Sequence, residues 1–290
     1  MFNPRRGAAL SLLAATMILG ACSSTANVPT VVCVGEATTY LDWLNGDFQP
    51  DTAGAITDPG ATTGDLLASV MERGYITVST DPDYAPQSSV KPDGTFEGFD
   101  IDVATEIATR LGVDIHWETP GWDAITAAGW QGRWDMSVGS MTITTPRKGI
   151  LDFTQPYYYN PAYLAASTRS GVKKTSDLSF TLPAGGSATT LPTDANCAES
   201  VKAGRPEFDL WISSGPTIDE AISAGTPMLK IGEPIFTEDL SVAFDKSGPD
   251  DAALRFKVDQ IIGAMHTDGT LTQLSQKWYD GADLTVAPSS

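Results

Sequence analysis

The chain has 290 residues, of which 41% are hydrophobic and 19% are charged. This length can bury one sizeable core or two smaller ones, and no run of like charge indicates a disordered segment. The formal net charge is −18. So acidic a surface repels phosphate backbones, which argues against nucleic-acid binding.

The first 21 residues have the order of features found in an export signal. Arg5 and Arg6 give a positive start, and residues 7–20 are apolar and uncharged. That stretch is shorter than the roughly 20 residues that cross a bilayer, so it fits the apolar region of a signal peptide. The small residues before Cys22 resemble the lipobox of bacterial lipoproteins, which implies cleavage before Cys22 and a lipid on its sulfur. The alternative is an ordinary cleavage site with a chance cysteine.

Two further cysteines, Cys33 and Cys197, remain after such a cleavage. Outside the cytoplasm a pair can oxidise, and a bridge would join the N-terminal extension to the middle of the chain. Two separate buried thiols are the alternative, because the sequence does not supply the geometry of a bridge. The two histidines, His116 and His266, are not at ligand spacing with a cysteine or with each other. We therefore expect no metal and no cofactor.

Residues 22–72 are predicted to form a tether that becomes ordered, with a loop composition at 51–64 and a short helix at 66–71. The predicted strands that follow are 75–80, 113–118, 134–138, 163–168, 178–182, 208–212 and 240–244. The predicted helices are 101–111, 123–130, 196–202, 217–223, a long helix opened by Pro249 and Asp250, and a last helix lined by Leu271, Leu274 and Trp278. This alternation indicates an α/β fold with a mostly parallel sheet.

Polar and aromatic side chains cluster in four places along this pattern. The segments are 81–86, 98–102, Trp122, and 140–147 followed by Asp152-Phe153 and three tyrosines at 157–159. The first directly follows a predicted strand, and ligands bind at the carboxyl ends of parallel strands in open α/β sheets. These segments are therefore candidates for a binding site.

The run 140–147 predicts a site for a carboxylate. Pro146 suits the first turn of a helix, and Thr145 suits the cap before it. A helix start offers free N–H donors, and the Arg147 guanidinium matches a carboxylate with two parallel hydrogen bonds. From the residues alone, the alternative is a capped helix whose Arg147 pairs with a core acid such as Asp152.

The order and spacing of these segments resemble the periplasmic amino-acid-binding proteins of ABC importers, solute-binding protein family 3. The matching pieces, within residues 73–280, are Gly98–Asp102, Thr142–Arg147, Asp152-Phe153 with Tyr157, Asp268-Gly269-Thr270 and Lys277-Trp278. The resemblance implies a two-lobed, type II periplasmic-binding-protein fold, in which each lobe is a mostly parallel sheet flanked by helices. Two crossover strands, near 163–168 and 240–244, would join lobe 1 (73–165 and 242–283) to lobe 2 (166–241). Ligand would bind in the cleft, and hinge motion would close it.

The resemblance also implies roles for single residues in lobe 1. Arg147 corresponds to the arginine that binds the ligand carboxylate, and Ser140-Met141-Thr142 corresponds to a run that holds the ligand. Tyr84 and Trp122 correspond to walls around the ligand side chain, with core packing as the alternative. Asp81 corresponds to an acid at the polar end of the ligand, where it would favour an amide or a cation.

Lobe 2 departs from the family pattern. Ser214 stands where the family usually has an aspartate for the ligand ammonium, and Asp219 or Glu220 are open as replacements. The family's glycine-and-hydroxyl turn is assigned to 185–188, which includes Ser187. These departures leave open an amino-acid derivative, an acid without an amine, or another small solute as the ligand.

The expected function is the capture of a small carboxylate-bearing ligand, an amino acid or a derivative, and its delivery to an ABC permease. The expected form is an exported, lipid-anchored monomer in the periplasm or on the outer face of the cell membrane, without enzymatic activity. One alternative is a cyclohexadienyl-dehydratase-like enzyme on the same fold, with Asp81 or Asp83 as the general acid. Another is a ligand-sensing ectodomain, against which the absence of a C-terminal spanning helix argues.

Overall fold

The computed structural model describes residues 31–34, 38–60, 63–178, 187–204 and 208–288. Four features predicted from the sequence lie wholly or mostly outside them, namely the signal segment 1–21, the lipid site at Cys22, the strand 178–182 and the glycines of the turn at 185–188. Within the described part of the chain, no helix is both long and apolar enough to cross a membrane.

Strands and helices alternate along most of the chain. The strands are β1 Val31–Val34, β2 Tyr75–Ser79, β3 Asp83–Tyr84, β4 Ser88–Val90, β5 Phe96–Glu97, β6 Asp114–Glu118, β7 Met136–Thr142, β8 Leu151–Phe153, β9 Tyr158–Ser167, β10 Ser187–Thr190, β11 Leu210–Ser214 and β12 Met228–Asp245. The helices are α1 Thr38–Asn45, α2 Leu66–Arg73, α3 Phe99–Leu111, α4 Trp122–Thr126, α5 Thr145–Lys148, α6 Asp194–Lys202, α7 Gly215–Ser223, α8 Ala252–Thr267 and α9 Thr270–Trp278.

One large sheet runs through both lobes. Its order is β10-β1-β11-β9-β12-β7-β2-β6, with β8 paired to β12. Strand β2 pairs in parallel with β6 and β7, which gives the sheet of lobe 1. Strand β1 pairs in parallel with β10 and β11, which gives the sheet of lobe 2. Each lobe therefore has the parallel sheet that the sequence pattern predicts.

Two long antiparallel strands, β9 and β12, connect the lobes. β9 also pairs with β11 of lobe 2, and β12 also pairs with β7 of lobe 1. The predicted crossover segments 163–168 and 240–244 lie almost entirely in these two strands. The predicted lobe boundaries thus fall within paired strands, which position the lobes through their hydrogen bonds.

Each lobe has its own apolar core. In lobe 1, α3 and α8 pack on the sheet through residues such as Val103 and Ile262. Lobe 2 contains two buried apolar clusters, one around Leu164 and one around Trp211. Apolar burial stabilises each lobe separately, so the cleft between them can hold polar groups.

One predicted helix is shorter than expected. The pattern predicts a helix at 123–130, but α4 ends at Thr126. Ala128 and Gln131 have φ of 57° and 56°, a left-handed conformation that does not continue an α-helix. Trp130 and Trp134 turn inward, with ring centroids 5.3 Å apart. Consequently β7 begins at Met136, two residues later than predicted.

The N-terminal extension contributes structure to lobe 2. β1 lies between β10 and β11 and pairs with both, and α1 follows it and buries Tyr40 and Leu44. Cys33 in β1 and Cys197 in α6 form a disulfide, with an S–S distance of 2.01 Å and a Cα–Cα distance of 6.1 Å. The segment before lobe 1 in the chain is therefore a central part of lobe 2.

After α1 the chain passes from lobe 2 to lobe 1, where it contacts α5 and the residues just before it. The Thr145 N–H donates to Gln49 O at 3.0 Å, and the Asp51 N–H donates to Ile143 O at 3.1 Å. Lys148 Nζ lies 3.1 Å from Asp51 Oδ1. We call residues 46–60 the third connection, because they join the lobes in addition to β9 and β12.

Candidate functional site

A cavity with about 450 Å³ of empty space, part of it open to solvent, lies between the lobes. Its lobe 1 wall consists of Asp81, Tyr84, Trp122, Gly139, Ser140, Thr142 and Arg147. The opposite wall consists of Thr39, Tyr40, Pro192, Thr193 and Asp194 of lobe 2 and Glu238 of β12. The carboxyl ends of β1, β2, β7 and β10 meet here, as parallel strands in such folds predict.

Six residues that the sequence predicts to bind ligand come together on the lobe 1 wall. They are Asp81, Tyr84, Trp122, Ser140, Thr142 and Arg147. The first two follow β2, Trp122 opens α4, and the last three lie at the end of β7 and on α5. These residues are spread over positions 81–147 of the sequence, and the fold brings them together on one wall of the cavity.

Arg147 is buried at the base of this wall, only 7% exposed. Its Nη1 donates to Thr142 O at 3.0 Å, and its guanidinium lies 5.7 Å from the centroid of the Trp122 ring. Burial lowers the pKa of Arg147 to about 10, against the raising effect of Glu238 and Asp42. The side chain therefore remains a cation at neutral pH.

The cap of α5 differs from the prediction by one residue. Thr144, not Thr145, is the N-cap, because it has extended backbone and its hydroxyl accepts from Arg147 N at 3.4 Å. Pro146 lies in the first turn, as predicted. Asp152, the alternative partner for Arg147, instead lies 3.6 Å from Lys246 Nζ.

The hydroxyls of Ser140 and Thr142 already have protein partners. Ser140 Oγ donates to Asp100 Oδ2 at 2.7 Å, and Thr142 Oγ1 donates to Glu238 Oε1 at 2.6 Å. Tyr157 Oη donates to the other oxygen of Asp100 at 2.8 Å. Burial raises the pKa of Asp100 to about 7. Ser140 and Thr142 therefore orient acids around the cavity as well as line it.

Three residues predicted to bind ligand do not line the cavity. Met141 points to the other face of β7 from Ser140, as alternation along a strand requires, and is packed in a core cluster. Ser187 is exposed at the start of β10, far from that strand's carboxyl end. Ser214 is fully buried as the N-cap of α7, where it accepts from Gln87 Nε2 at 3.1 Å.

After the carboxyl end of β10, the hydroxyl residue that lines the cavity is Thr193. It caps α6, whose first residue is Asp194, and both residues line the cavity. Asp194 Oδ1 accepts from Trp211 Nε1 at 2.9 Å. Burial raises the pKa of Asp194 to about 7, and the charges of Asp81 and Glu238 add to this effect. An acid thus faces the cavity from lobe 2, although not at position 214.

Glu238 is a second acid on this side, only 3% exposed. Its Oε1 accepts from Thr142 Oγ1 at 2.6 Å and from Thr39 Oγ1 at 3.1 Å. Its Oε2 accepts from Tyr40 Oη at 2.9 Å and from Asn160 Nδ2 at 3.2 Å. Burial raises the pKa of Glu238 above its ordinary value, although the hydrogen bonds from Thr142, Tyr40 and Thr39 and the charge of Arg147 offset part of this effect.

Sequence reasoning missed the acids of lobe 2 and the residues of α1. Neither Asp194 nor Glu238 was among the residues predicted to bind ligand. A signal for α1 exists, since the apolar run Val31–Val34 is followed by Gly35 and the pair Thr38-Thr39. That is the glycine-and-hydroxyl pattern that the prediction assigned to 185–188.

The cavity can hold a small ligand with charges of both signs. A guanidinium and an indole ring lie on one side, and Asp194 and Glu238 lie opposite. Among the described residues, no group of three His, Cys, Asp or Glu side chains could hold a metal ion. The arrangement is suited to binding by hydrogen bonds and charge pairs.

Two curated relatives are similar to most of the chain. The L-cystine-binding protein TcyJ of Escherichia coli is 28% identical over 238 residues, which cover 76% of this chain and 88% of that protein. The L-cystine-binding protein TcyA of Bacillus subtilis is 28% identical over 243 residues, which cover 78% and 88%.

Solved structures confirm the predicted fold class. The ancestral amino-acid-binding protein AncCDT-1, a precursor of cyclohexadienyl dehydratase, has a TM-score of 0.64 at 27% identity and covers 73% of this chain and 99% of its own. A histidine-bound substrate-binding protein of an ABC uptake transporter from Streptococcus pneumoniae has a TM-score of 0.66 at 21% identity, with 78% and 100% covered. At that identity the second likeness shows the fold alone.

A family model matches residues 76–281, which is more than half of the chain and includes both crossover strands. The chain therefore belongs to the bacterial extracellular solute-binding proteins, family 3.

Proposed function

We propose that this protein binds an amino acid with a second cationic group in the cavity between its lobes. The observation that supports this most is the charge pattern, in which Asp81, Asp194 and Glu238 line the same cavity as Arg147. The ligand α-carboxylate would bind Arg147, and its cationic groups would bind the acids. With three acids around one guanidinium, a ligand of net positive charge offsets more of the local charge than a neutral one.

Aromatic groups would complete the contacts with the ligand. Trp122 Nε1 is buried and has no hydrogen-bond partner among the described residues, so it is a free donor for a ligand carboxylate at this wall. The rings of Tyr40, Tyr84 and Trp122 line the cavity and can contact an aliphatic stem or a cation.

The relatives support the ligand class. Those named above are cystine-binding or amino-acid-binding proteins by name. Cystine carries two ammonium groups, as lysine carries two cationic groups, so it belongs in the same test panel.

We further propose that the protein is exported, lipid-anchored through Cys22, monomeric, and a donor of its ligand to an ABC permease. The family and the signal-like residues 1–21 support this. Strands β9 and β12 would flex as the lobes close around the ligand.

A thermal-shift screen of the protein against the amino acids and cystine tests the ligand class, because a ligand that binds the native state raises its melting temperature. Calorimetry then gives the affinity for the best ligand. Arg147→Ala should cost at least about 2 kcal/mol of binding free energy, as does breaking a desolvated charge pair. The exposed Arg133 is the matched control, so Arg133→Ala should leave affinity unchanged. An unchanged affinity of Arg147→Ala would refute the assigned role.

One observation favours a second function, that of a dehydratase. Asp194 lines the cavity, and its pKa is raised to about 7, which suits a general acid. Incubation with prephenate and arogenate, followed by detection of aromatic product, tests this. If an aromatic product forms and Asp194→Asn abolishes its formation, the dehydratase function would be favoured over ligand binding for transport.

A further inference from the structure

The N-terminal segment 31–45 lies outside the region that matches the family model, which begins at residue 76. Its strand β1 nevertheless pairs along its length with β10, and with β11 from Val32 to Val34. Because β1 is parallel to both neighbours, its carboxyl end lies at the same sheet edge as theirs. The helix α1 therefore starts beside the cavity, as α6 does.

Two consecutive side chains of α1 reach the same acid. Thr39 Oγ1 donates to Glu238 Oε1 at 3.1 Å, and Tyr40 Oη donates to Glu238 Oε2 at 2.9 Å. Thr39 and Tyr40 are 2% and 1% exposed. Buried donors aimed at a buried carboxylate stabilise its ionised form, because each hydrogen bond offsets part of the cost of burial.

The same segment also faces Arg147. Asp42 of α1 is, with Glu238, one of the charges that favour the cationic form of Arg147. The third connection then pairs with the strand end and helix that carry Arg147, through Gln49 and Asp51. The N-terminal segment and the third connection together thus contact the elements that carry Arg147 and Glu238.

We propose that Thr39 and Tyr40 are positioning residues of the ligand site, which hold the Glu238 carboxylate toward the cavity so that it binds a cationic group of the ligand. This inference rests on the proposed function. It assigns part of the ligand specificity to a segment that precedes the family region. The competing arrangement is that Glu238 serves only to neutralise Arg147.

Calorimetry on the full chain with lysine and arginine tests the positioning role. Tyr40→Phe and Thr39→Val should each weaken binding by about threefold to tenfold at pH 8, the range for losing a hydrogen bond to a charged group. The matched controls are Tyr75→Phe and Thr109→Val, which change the same groups away from the cavity and should stay within about twofold.

The pH profile separates positioning from a general structural role. Without the Tyr40 donor the pKa of Glu238 rises further, so the loss of affinity on acidification should begin at a higher pH than in the wild type. An affinity and a pH profile that coincide with the wild type would overturn the inference.

Glu238→Gln keeps the size of the side chain and removes its charge. It should weaken lysine and arginine binding at least about tenfold. Unchanged or tighter binding would show that Glu238 only neutralises Arg147, and the inference would be wrong.

A ligand-free measurement separates failure of the inference from failure of the proposed function. Tyr40→Phe should lower the melting temperature more at pH 8 than at pH 4, because the raised pKa of Glu238 leaves it protonated at pH 4 and its ionised form needs the donor more. Tyr75→Phe is the reference. If the wild type binds no amino acid, the proposed function fails while this readout still reports on Glu238. Equal destabilisation at both pH values would overturn the positioning role of Tyr40.

Discussion

Asp100 in lobe 1 and Asp194 in lobe 2 are two buried acids in different situations. Burial raises the pKa of each to about 7. Both oxygens of Asp100 accept hydrogen bonds, from Ser140 and Tyr157, and Asp100 does not line the cavity. Asp194 does line it. Burial is the main cause of the raised pKa of both acids. Their positions differ, so only Asp194 can interact directly with a ligand in the cavity.

The largest expected effect concerns the cross-link of lobe 2. Cys33→Ala with Cys197→Ala removes a bridge that closes a sequence separation of 164 residues, and a loop of that size predicts a loss of about 5 kcal/mol in the free energy of unfolding. Hydrogen exchange should increase in β1 and α6 and stay unchanged in β2 and α3. Equal increases in both lobes would contradict the independence of their cores.

The two acids can be compared directly by substitution. Asp194→Asn should cost about 2 kcal/mol of ligand affinity, because a charge that faces the ligand ammonium is lost. Asp100→Asn should change affinity by less than about 0.5 kcal/mol, since Asp100 does not line the cavity. Calorimetry of both variants at pH 8 measures this. Equal losses would show that Asp100 also acts on the ligand.

Acidification should affect stability and affinity in opposite directions. A carboxyl whose folded pKa lies above its unfolded value stabilises the fold below the unfolded pKa, and this stability is lost as pH rises through the folded pKa. The ligand-free protein should therefore be more stable at pH 5 than at pH 8. Affinity for lysine should fall by about tenfold over the same interval, because Asp194 gains a proton near pH 7.

Measuring stability and lysine affinity of the variants as a function of pH assigns each of these two trends to an individual acid. The acids Asp81 and Glu238 face Asp194 and contribute to its pKa, so Asp194→Asn should flatten the affinity profile without abolishing it. Asp100→Asn should flatten only the stability profile. An affinity that rises on acidification would contradict the assignment of Asp194 to a ligand cation.

The smallest expected effect concerns the indole of the lobe 1 wall. Trp122→Phe keeps an aromatic face and removes the buried Nε1 donor, so affinity should fall by about 1 kcal/mol. Trp117→Phe, outside the cavity, is the matched control. If both substitutions leave calorimetric affinity unchanged, the ligand does not use the Trp122 N–H.

The lobe 1 wall could be predicted because its residues follow the ends of consecutive strands. Asp81, Trp122 and Arg147 lie within one stretch in which each turn directly precedes or follows a regular element. Local rules therefore place them at one edge of the sheet. Met141 shows the limit of this reasoning, because alternation along β7 excludes it from the cavity while its neighbours line it.

The opposite wall could not be derived in the same way. Tyr40, Asp194 and Glu238 come from three distant segments, and no local pattern indicates that they meet. The position of β1 between β10 and β11 is set by tertiary pairing. Ser214 was expected to meet the ligand because the resemblance places it where the family usually has an ammonium-binding aspartate. The structure instead buries it as the N-cap of α7.

The place of β1 within lobe 2 has a mechanical consequence for a tethered protein. Only residues 23–30 separate β1 from the proposed lipid site at Cys22, and eight residues span at most about 28 Å when fully extended. A short linker to the membrane would restrict the movement of the lobe to which it is attached, which is lobe 2. Lobe 2 would therefore stay beside the bilayer, while lobe 1, with its guanidinium, would swing toward it to catch the solute.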